Sequence, residues 1–200
     1  MNTSQRNQAG RLIIINGPTR AGKSSLAAEL QRTLPQTFLI LSMDSFYCRI
    51  MVPALADIKR EVWPKLNWAS ALYATSRALV LEGHDLILDT LTVEPLSKNH
   101  ILDHFEGLDS YFIGLFCPLE ALLTRMREGE ENSPKAINGV KEQFSSVHQN
   151  AGGCYDLELD TSKLTTKDCA QKILELLSST AQEKALDTLR EKNRTSASNQ

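Results

Sequence analysis

LIIINGPTRAGKSSL, residues 12–26, decides the fold. Leu12 to Ile15 are four consecutive apolar side chains, which suits a strand covered on both faces. They run straight into Gly17-Pro18-Thr19-Arg20-Ala21-Gly22-Lys23-Ser24, a complete G-x-x-x-x-G-K-[ST] sequence, with Ser25 behind it. Leu26, Ala27, Leu30 and Leu34 then recur at helical spacing, and Pro35 closes the helix. A strand, a glycine loop and a helix in that order are the setting in which this motif grips phosphate. Gly17 and Gly22 are expected to free the backbone so that successive N–H groups converge on phosphate oxygens. The helix start adds unsatisfied donors and its positive dipole end. The pattern therefore predicts a nucleoside triphosphate held by residues 17–25, with Lys23 on its β- and γ-phosphates and Ser24 as a Mg²⁺ ligand.

Outward from this stretch, apolar runs alternate with helical patterns. Strands are predicted at Leu12–Ile15, Thr37–Met43, Asp85–Asp89, Tyr111–Phe116 and Tyr155–Leu159. Helices are predicted at Ser24–Leu34, Trp68–Glu82, Ser97–Phe105, Leu119–Glu128 and Gly139–His148. A last core helix opens on a capping box, Thr165 with Asp168, and is expected to bury Ala170, Ile173, Leu174 and Leu177. The polar stretch 129–138 contains Pro134 and reads as a break, part of a lid-like loop over 128–139. Such alternation predicts an α/β, three-layer fold, a five-stranded and mostly parallel sheet with helices on both faces, and the glycine loop makes it of the P-loop NTPase type. Ligands then bind at the carboxyl ends of the strands. One domain is expected over 1–178, with 45–67 as a local cap. Residues 179–200 form a polar tail, either an extra surface helix with a frayed end or largely disordered.

Composition narrows the function classes. The chain has 200 residues and a net charge of -2, from 22 basic and 24 acidic side chains. That balance offers no electrostatic footprint for nucleic acid or an anionic membrane. The opening MNTSQRNQAGR lacks the apolar core of a secretory signal, and no apolar run approaches the roughly 20 residues that span a bilayer. A cytoplasmic protein is expected. Cys48, Cys117, Cys154 and Cys169 are widely spaced, which favours reduced thiols over a disulfide framework. His100 and His104 share a helical spacing without an H-E-x-x-H pattern and are read as surface residues.

Two carboxylates end predicted strands. Asp44 follows the second strand and Asp89 closes the third, so parallel strands would put both beside the phosphate loop. Asp89 is placed to hold Mg²⁺, directly or through water. Asp44 lies on the acceptor side, where a carboxylate can orient a hydroxyl and take its proton. The alternative for either is a cap on the following turn.

These motifs resemble those of the chloramphenicol phosphotransferase-like P-loop kinases. The resemblance rests on the loop, on D-S-F at Asp44, on I-L-D ending at Asp89 and on Arg125. It also rests on Gln143 and His148 and on Tyr155, Asp156, Asp160 and Thr161, collinear from about Leu12 to Leu177. It implies a P-loop NTPase/kinase fold over 1–178 whose third strand pairs with the first, with 45–67 as the acceptor cap, and ATP-dependent, Mg²⁺-assisted phosphorylation of a hydroxyl on a small organic molecule. It assigns the catalytic base to Asp44, nucleotide roles to Lys23 and Ser24, and a phosphate-facing role to Arg125. The chain departs from the family at Asp89-Thr90, where a second acidic residue is usual. It departs again in the lid MREGEENSPKAING, which is poor in arginine; Arg127 and Lys135 are its positive charges, with Arg125 just before it. Phe46, Tyr47, Ile50, Met51, Val52, Trp63 and Trp68 either wall the acceptor pocket or pack the cap. His148 reads as a structural hydrogen-bonding residue. Competing functions are a nucleoside or nucleotide kinase, and a nucleotide-binding regulatory or effector protein.

Overall fold

A computed structural model describes residues 8–46, 68–92, 96–129, 133–179 and 183–198. Within them, β1 (Leu12–Asn16), β2 (Phe38–Ser42), β3 (Asp85–Thr90), β4 (Ser110–Phe116) and β5 (Leu157–Asp160) form one sheet ordered β2-β3-β1-β4-β5. Every pairing is parallel. The phosphate-loop strand is central and β3 lies beside it, as the family resemblance implies. The register aligns Ser42 with Asp89 and Asp89 with Ile15. The carboxyl ends of β2, β3 and β1 therefore stop together, and the loops after them share one edge.

Seven helices flank the sheet among the described residues: α1 (Lys23–Thr33), α2 (Trp68–Leu81), α3 (Leu96–His104), α4 (Leu119–Glu128), α5 (Pro134–Asn150), α6 (Thr166–Ser178) and α7 (Ala185–Ser198). The period-two alternation of a strand splits β1 between two cores. Ile13 and Ile15 join Leu26 and Leu30 of α1, Leu122 and Met126 of α4 and Ile173 of α6 on one face. Leu12 and Ile14 join Leu72 and Tyr73 of α2, Ile101 of α3 and Leu186 of α7 on the other. Every residue of β1 is buried, which is why the run carries no polar side chain before Asn16. The three-layer α/β expectation holds.

Three local expectations change. Pro134 starts α5 instead of breaking the chain: it sits in the first turn, and the Ser133 side chain accepts from Ala136 N at 3.2 Å as N-cap. Proline fits there because its missing N–H would have had no helical partner. The helix expected from Gly139 thus begins five residues earlier, inside the expected lid-like loop 128–139. In α6 the capping box of Thr165 and Asp168 forms as read, and Ala170 and Ile173 are fully buried. Leu174 and Leu177 pack only partly against the core. The segment after Ser178, expected to be either an extra surface helix or largely disordered, does hold a helix, α7, but Ala185, Leu186 and Leu189 make it part of the core and not a surface addition. The cap residues 47–67, with Tyr47, Ile50, Met51, Val52 and Trp63, lie outside the described residues, as do 130–132 of the lid.

Candidate active site

The loop after β1 is held open by a few specific contacts. Gly22 takes φ 97°, a conformation that favours glycine, and caps α1 without any side-chain bond. The first-turn amides of α1, including those of Lys23, Ser24 and Ser25, have no intrahelical partner by geometry and border the cleft. Gly17 has a different reason to be glycine from the one expected. Its backbone is not left-handed; a Cβ there would stand 2.7 Å from the Leu115 carbonyl oxygen of β4. Close approach of two strands, not backbone angle, sets that residue. Arg20 does adopt a left-handed φ of 68°, and its guanidinium lies across Gly129 at the end of α4, where a Cβ would meet Nη1 at 2.8 Å.

A cleft of about 990 Å³ opens over this loop. Thr19, Arg20, Ala21, Gly22, Lys23, Ser24 and Ser25 line it, together with Asp44, Asp89 and Arg125. Gly17 and Pro18 are buried beneath. The residues singled out from the sequence thus converge on one space, contributed by the ends of β1, β2 and β3 and by α4. Asp44 sits in a helical turn just after β2, exposed to solvent.

Ser24 Oγ donates to Asp89 Oδ2 at 2.6 Å. Asp89 faces this side because Ile87, two residues earlier, packs in the α1 core. Burial pushes its carboxyl above the usual range, while Lys23 and the Ser24 hydroxyl pull it down and Asp44 adds to the rise. The Lys23 ammonium is lowered by burial and supported by Asp89 and Asp44; its Nζ donates to the Pro18 carbonyl at 3.2 Å. A hydroxyl and a carboxylate oxygen within hydrogen-bond distance are hard donors, the set a Mg²⁺ uses when phosphate and water supply its remaining ligands. Among the described residues no group of three or more His, Cys, Asp or Glu could hold a metal without such help.

Arg125 is more tethered than a free phosphate-facing arginine. Nη1 donates to the Arg20 carbonyl at 3.2 Å and to Thr161 Oγ1 at 3.1 Å, and Nη2 donates to the Thr161 carbonyl at 2.6 Å. It bolts the phosphate loop to the end of β5, and Thr161, Leu164, Thr165, Thr166 and Cys169 extend the cleft wall beyond it. That wall was not legible, apart from Thr161, because its residues have no chemistry that marks them.

The remaining motif residues are fasteners. Gln143 Oε1 accepts the Thr19 N–H at 2.8 Å. Tyr155 Oη accepts from Asn16 Nδ2 at 2.8 Å and meets His148 Nδ1 at 2.8 Å, and His148 stacks on Phe116 with centroids 3.8 Å apart. Burial drives the His148 pKa down to about 4, so the imidazole is neutral near pH 7, in keeping with a structural role. Asn16 and Thr92, which bond each other here at 3.1 Å, were missed from the sequence. The available signal was an asparagine ending a wholly apolar strand. The Thr90 hydroxyl, where a second acid is usual, pairs at 3.1 Å with the buried Tyr73 Oη on the opposite face from Asp89.

Comparison with known proteins agrees with this architecture. Two curated Mycobacterium tuberculosis proteins, one from each of two strains and both named "Putative O-phosphotransferase", are 24% identical over 189 residues, covering 83% of this chain and 81% of theirs. The solved M. tuberculosis APS kinase CysC, in complex with AMPPNP and APS, matches with a TM-score of 0.68 at 19% identity over 86% of this chain and 99% of that one. Shikimate kinase from Acinetobacter baumannii, in complex with shikimate, gives 0.64 at 17% identity over 86% and 95%. These structures show the fold, that of P-loop kinases. Residues 10–178 match the family described as chloramphenicol phosphotransferase-like protein. With a buried strand, an amide cradle and the collinear motif all within the matched span, the chain belongs to the chloramphenicol phosphotransferase-like family.

Proposed function

We propose that this protein is a kinase that transfers the terminal phosphoryl group of ATP to a hydroxyl of a small organic molecule. The observation that carries the reading is the shared cleft: the open amides of α1, Lys23 and the Ser24–Asp89 pair on one side, Asp44 on the other. The family and the relatives named for O-phosphotransfer support it.

The geometry supports a division of roles. The first-turn amides and dipole of α1 hold the phosphates, and the Lys23 ammonium, released from the Pro18 carbonyl, reaches the β- and γ-oxygens. Ser24 and Asp89 would hold Mg²⁺, which when bound neutralises charge on the phosphate oxygens. Asp44 orients the acceptor hydroxyl and takes its proton as the new O–P bond forms and the bond to the ADP oxygen breaks. Arg125 keeps the loop and the end of β5 in register. The work divides between the residues of one cleft: Lys23, Ser24 and Asp89 for the donor, Asp44 for the acceptor.

The test is transfer of labelled γ-phosphate from ATP across a panel of hydroxylated small molecules, amphenicol-type alcohols and nucleosides included. Wild type should form a phosphomonoester, and Asp44→Asn should lower its rate by about 10²–10⁴ while ATP still binds. ATP binding without any transfer, or Asp44→Asn turning over like wild type, would defeat the proposal.

A further inference from the structure

Helix α5 crosses the carboxyl edge of the sheet from one layer to the other. Ala136, Ile137 and Val140 pack against the α1 core, whereas Ala151, just past its end, belongs to the α2 core. On the way it meets the strand ends at three points. Gln143 Oε1 accepts the Thr19 N–H at 2.8 Å. The Val147 carbonyl accepts the Thr92 hydroxyl at 2.7 Å. His148 Nδ1 meets Tyr155 Oη at 2.8 Å, and that oxygen accepts from Asn16 Nδ2. The helix therefore grips the phosphate loop at its mouth, through Asn16, and in its middle, at Thr19.

The middle grip has the larger consequence. Thr19 precedes Arg20, which holds a left-handed φ of 68°, a conformation that persists only where the surroundings over-determine it. Pro18 has no N–H, and the Ala21 N–H is spent on the Pro18 carbonyl at 3.1 Å. Between these two residues, the Gln143 bond fixes the Thr19 amide toward α5. We infer that Gln143 is a positioning residue for nucleotide binding, holding the phosphate loop open before the nucleotide arrives. A preformed cradle loses less freedom on binding, so its affinity is higher. The inference rests on the nucleotide reading above for its purpose, but the order it imposes belongs to the free protein.

The experiment compares wild type, Gln143→Ala and Gln143→Glu by amide hydrogen exchange without nucleotide, and by calorimetry with AMPPNP. Alanine keeps the helix and removes the acceptor; glutamate keeps an acceptor oxygen. Gln143→Ala should speed exchange at Thr19 at least about tenfold and weaken AMPPNP about tenfold, the scale of one hydrogen bond. In turnover its KM for ATP should rise by more than its kcat falls. Gln143→Glu should restore the protection of Thr19. Unchanged exchange at Thr19 in Gln143→Ala would overturn the inference, as would faster exchange spread evenly over β1, β4 and α5, the mark of general loosening. Failure of wild type to bind AMPPNP would instead remove the nucleotide reading and with it the binding purpose, while Thr19 exchange would still decide whether Gln143 orders the loop.

Discussion

At the scale of single residues, neighbours in sequence have opposite surroundings. Asp89 and Thr90 are adjacent, yet the alternation of a strand sends one to Ser24 at the cleft and the other to Tyr73 in the far core. Restoring the family's second acid is therefore expected to damage the fold without helping the site. Thr90 is completely buried, and Tyr73, its hydroxyl pushed up to about 12 by burial, offers a single hydroxyl as company. Thr90→Asp places a carboxyl in that fully buried position, at a cost of roughly 1–3 kcal/mol even if it stays protonated. Thermal unfolding should show a melting temperature lower by several degrees, since about 1 kcal/mol corresponds to ~2–4 °C at this size. Phosphotransfer per folded molecule should not rise. An unchanged melting temperature would mean that position 90 tolerates charge and that its side chain has access to water. Gly17 teaches the same lesson: its residue type answers to Leu115 across the sheet, a contact that no local sequence window contains.

At the scale of elements, the sequence was most legible where period and chemistry coincide. The run from Leu12 to Ser24 is both a pattern and a motif, and strand, loop and helix all form where read. The helix at Leu119–Glu128 matches residue for residue. Legibility failed where one residue type has two uses. Pro134 punctuates a loop or opens a helix, and only the Ser133 cap distinguishes them. The proposed pair Asp44 and Asp89 was readable because each lies at the carboxyl end of an apolar run; the fasteners Asn16 and Thr92 were not, because their partners lie up to 139 residues away. The fastening of α5 has a pH signature. Burial holds the folded His148 near pKa 4, below its ordinary 6.5, so the unfolded chain takes up the proton first as pH falls. The stability this group supports is complete above about pH 6.5, is lost progressively between 6.5 and 4, and changes no further below. His104 is also lowered, whereas the raised carboxyls of Asp89 and Asp156 act with the opposite sign. The difference between wild type and His148→Gln isolates the effect. Melting temperatures from pH 7 to pH 4 should fall more steeply in wild type than in the variant; parallel curves would show that His148 is not neutral and buried in the folded protein.

At the scale of the whole molecule, α7 is the element that the family span of residues 10–178 does not include. Its composition reads as polar because its apolar side chains are few, but those few are placed. Leu186 is wholly buried and Leu189 nearly so, in the core shared with Phe112 and Tyr73. The Leu189 side chain presses so close to Gly152 that a Cβ there would meet it at 2.7 Å. Arg190 donates twice to the Leu102 carbonyl, at 3.1 and 2.9 Å, tying the helix to α3. Asp156 fastens its start: Oδ1 accepts the Ala185 N–H at 2.8 Å and Oδ2 the Phe112 N–H of β4 at 2.6 Å. Burial raises that carboxyl, and the two amides and Lys184 oppose the rise. The neighbouring residue is Tyr155, which holds Asn16 at the mouth of the phosphate loop. Hence α7 closes the second helical layer over β4 and against α3, and its removal should reach the cleft through Tyr155. A chain ending at Ser178 loses the burial of two leucines, worth about 3–6 kcal/mol, and leaves Asp156 without one of its donors. Its melting temperature should drop on the order of 10 °C, and its affinity for AMPPNP should weaken with it. If truncation left both unchanged, α7 would be an appendage and the α2 core would be complete without it. If stability fell but AMPPNP affinity held, the coupling through Asp156 and Tyr155 would be absent and α7 would be a structural cover alone.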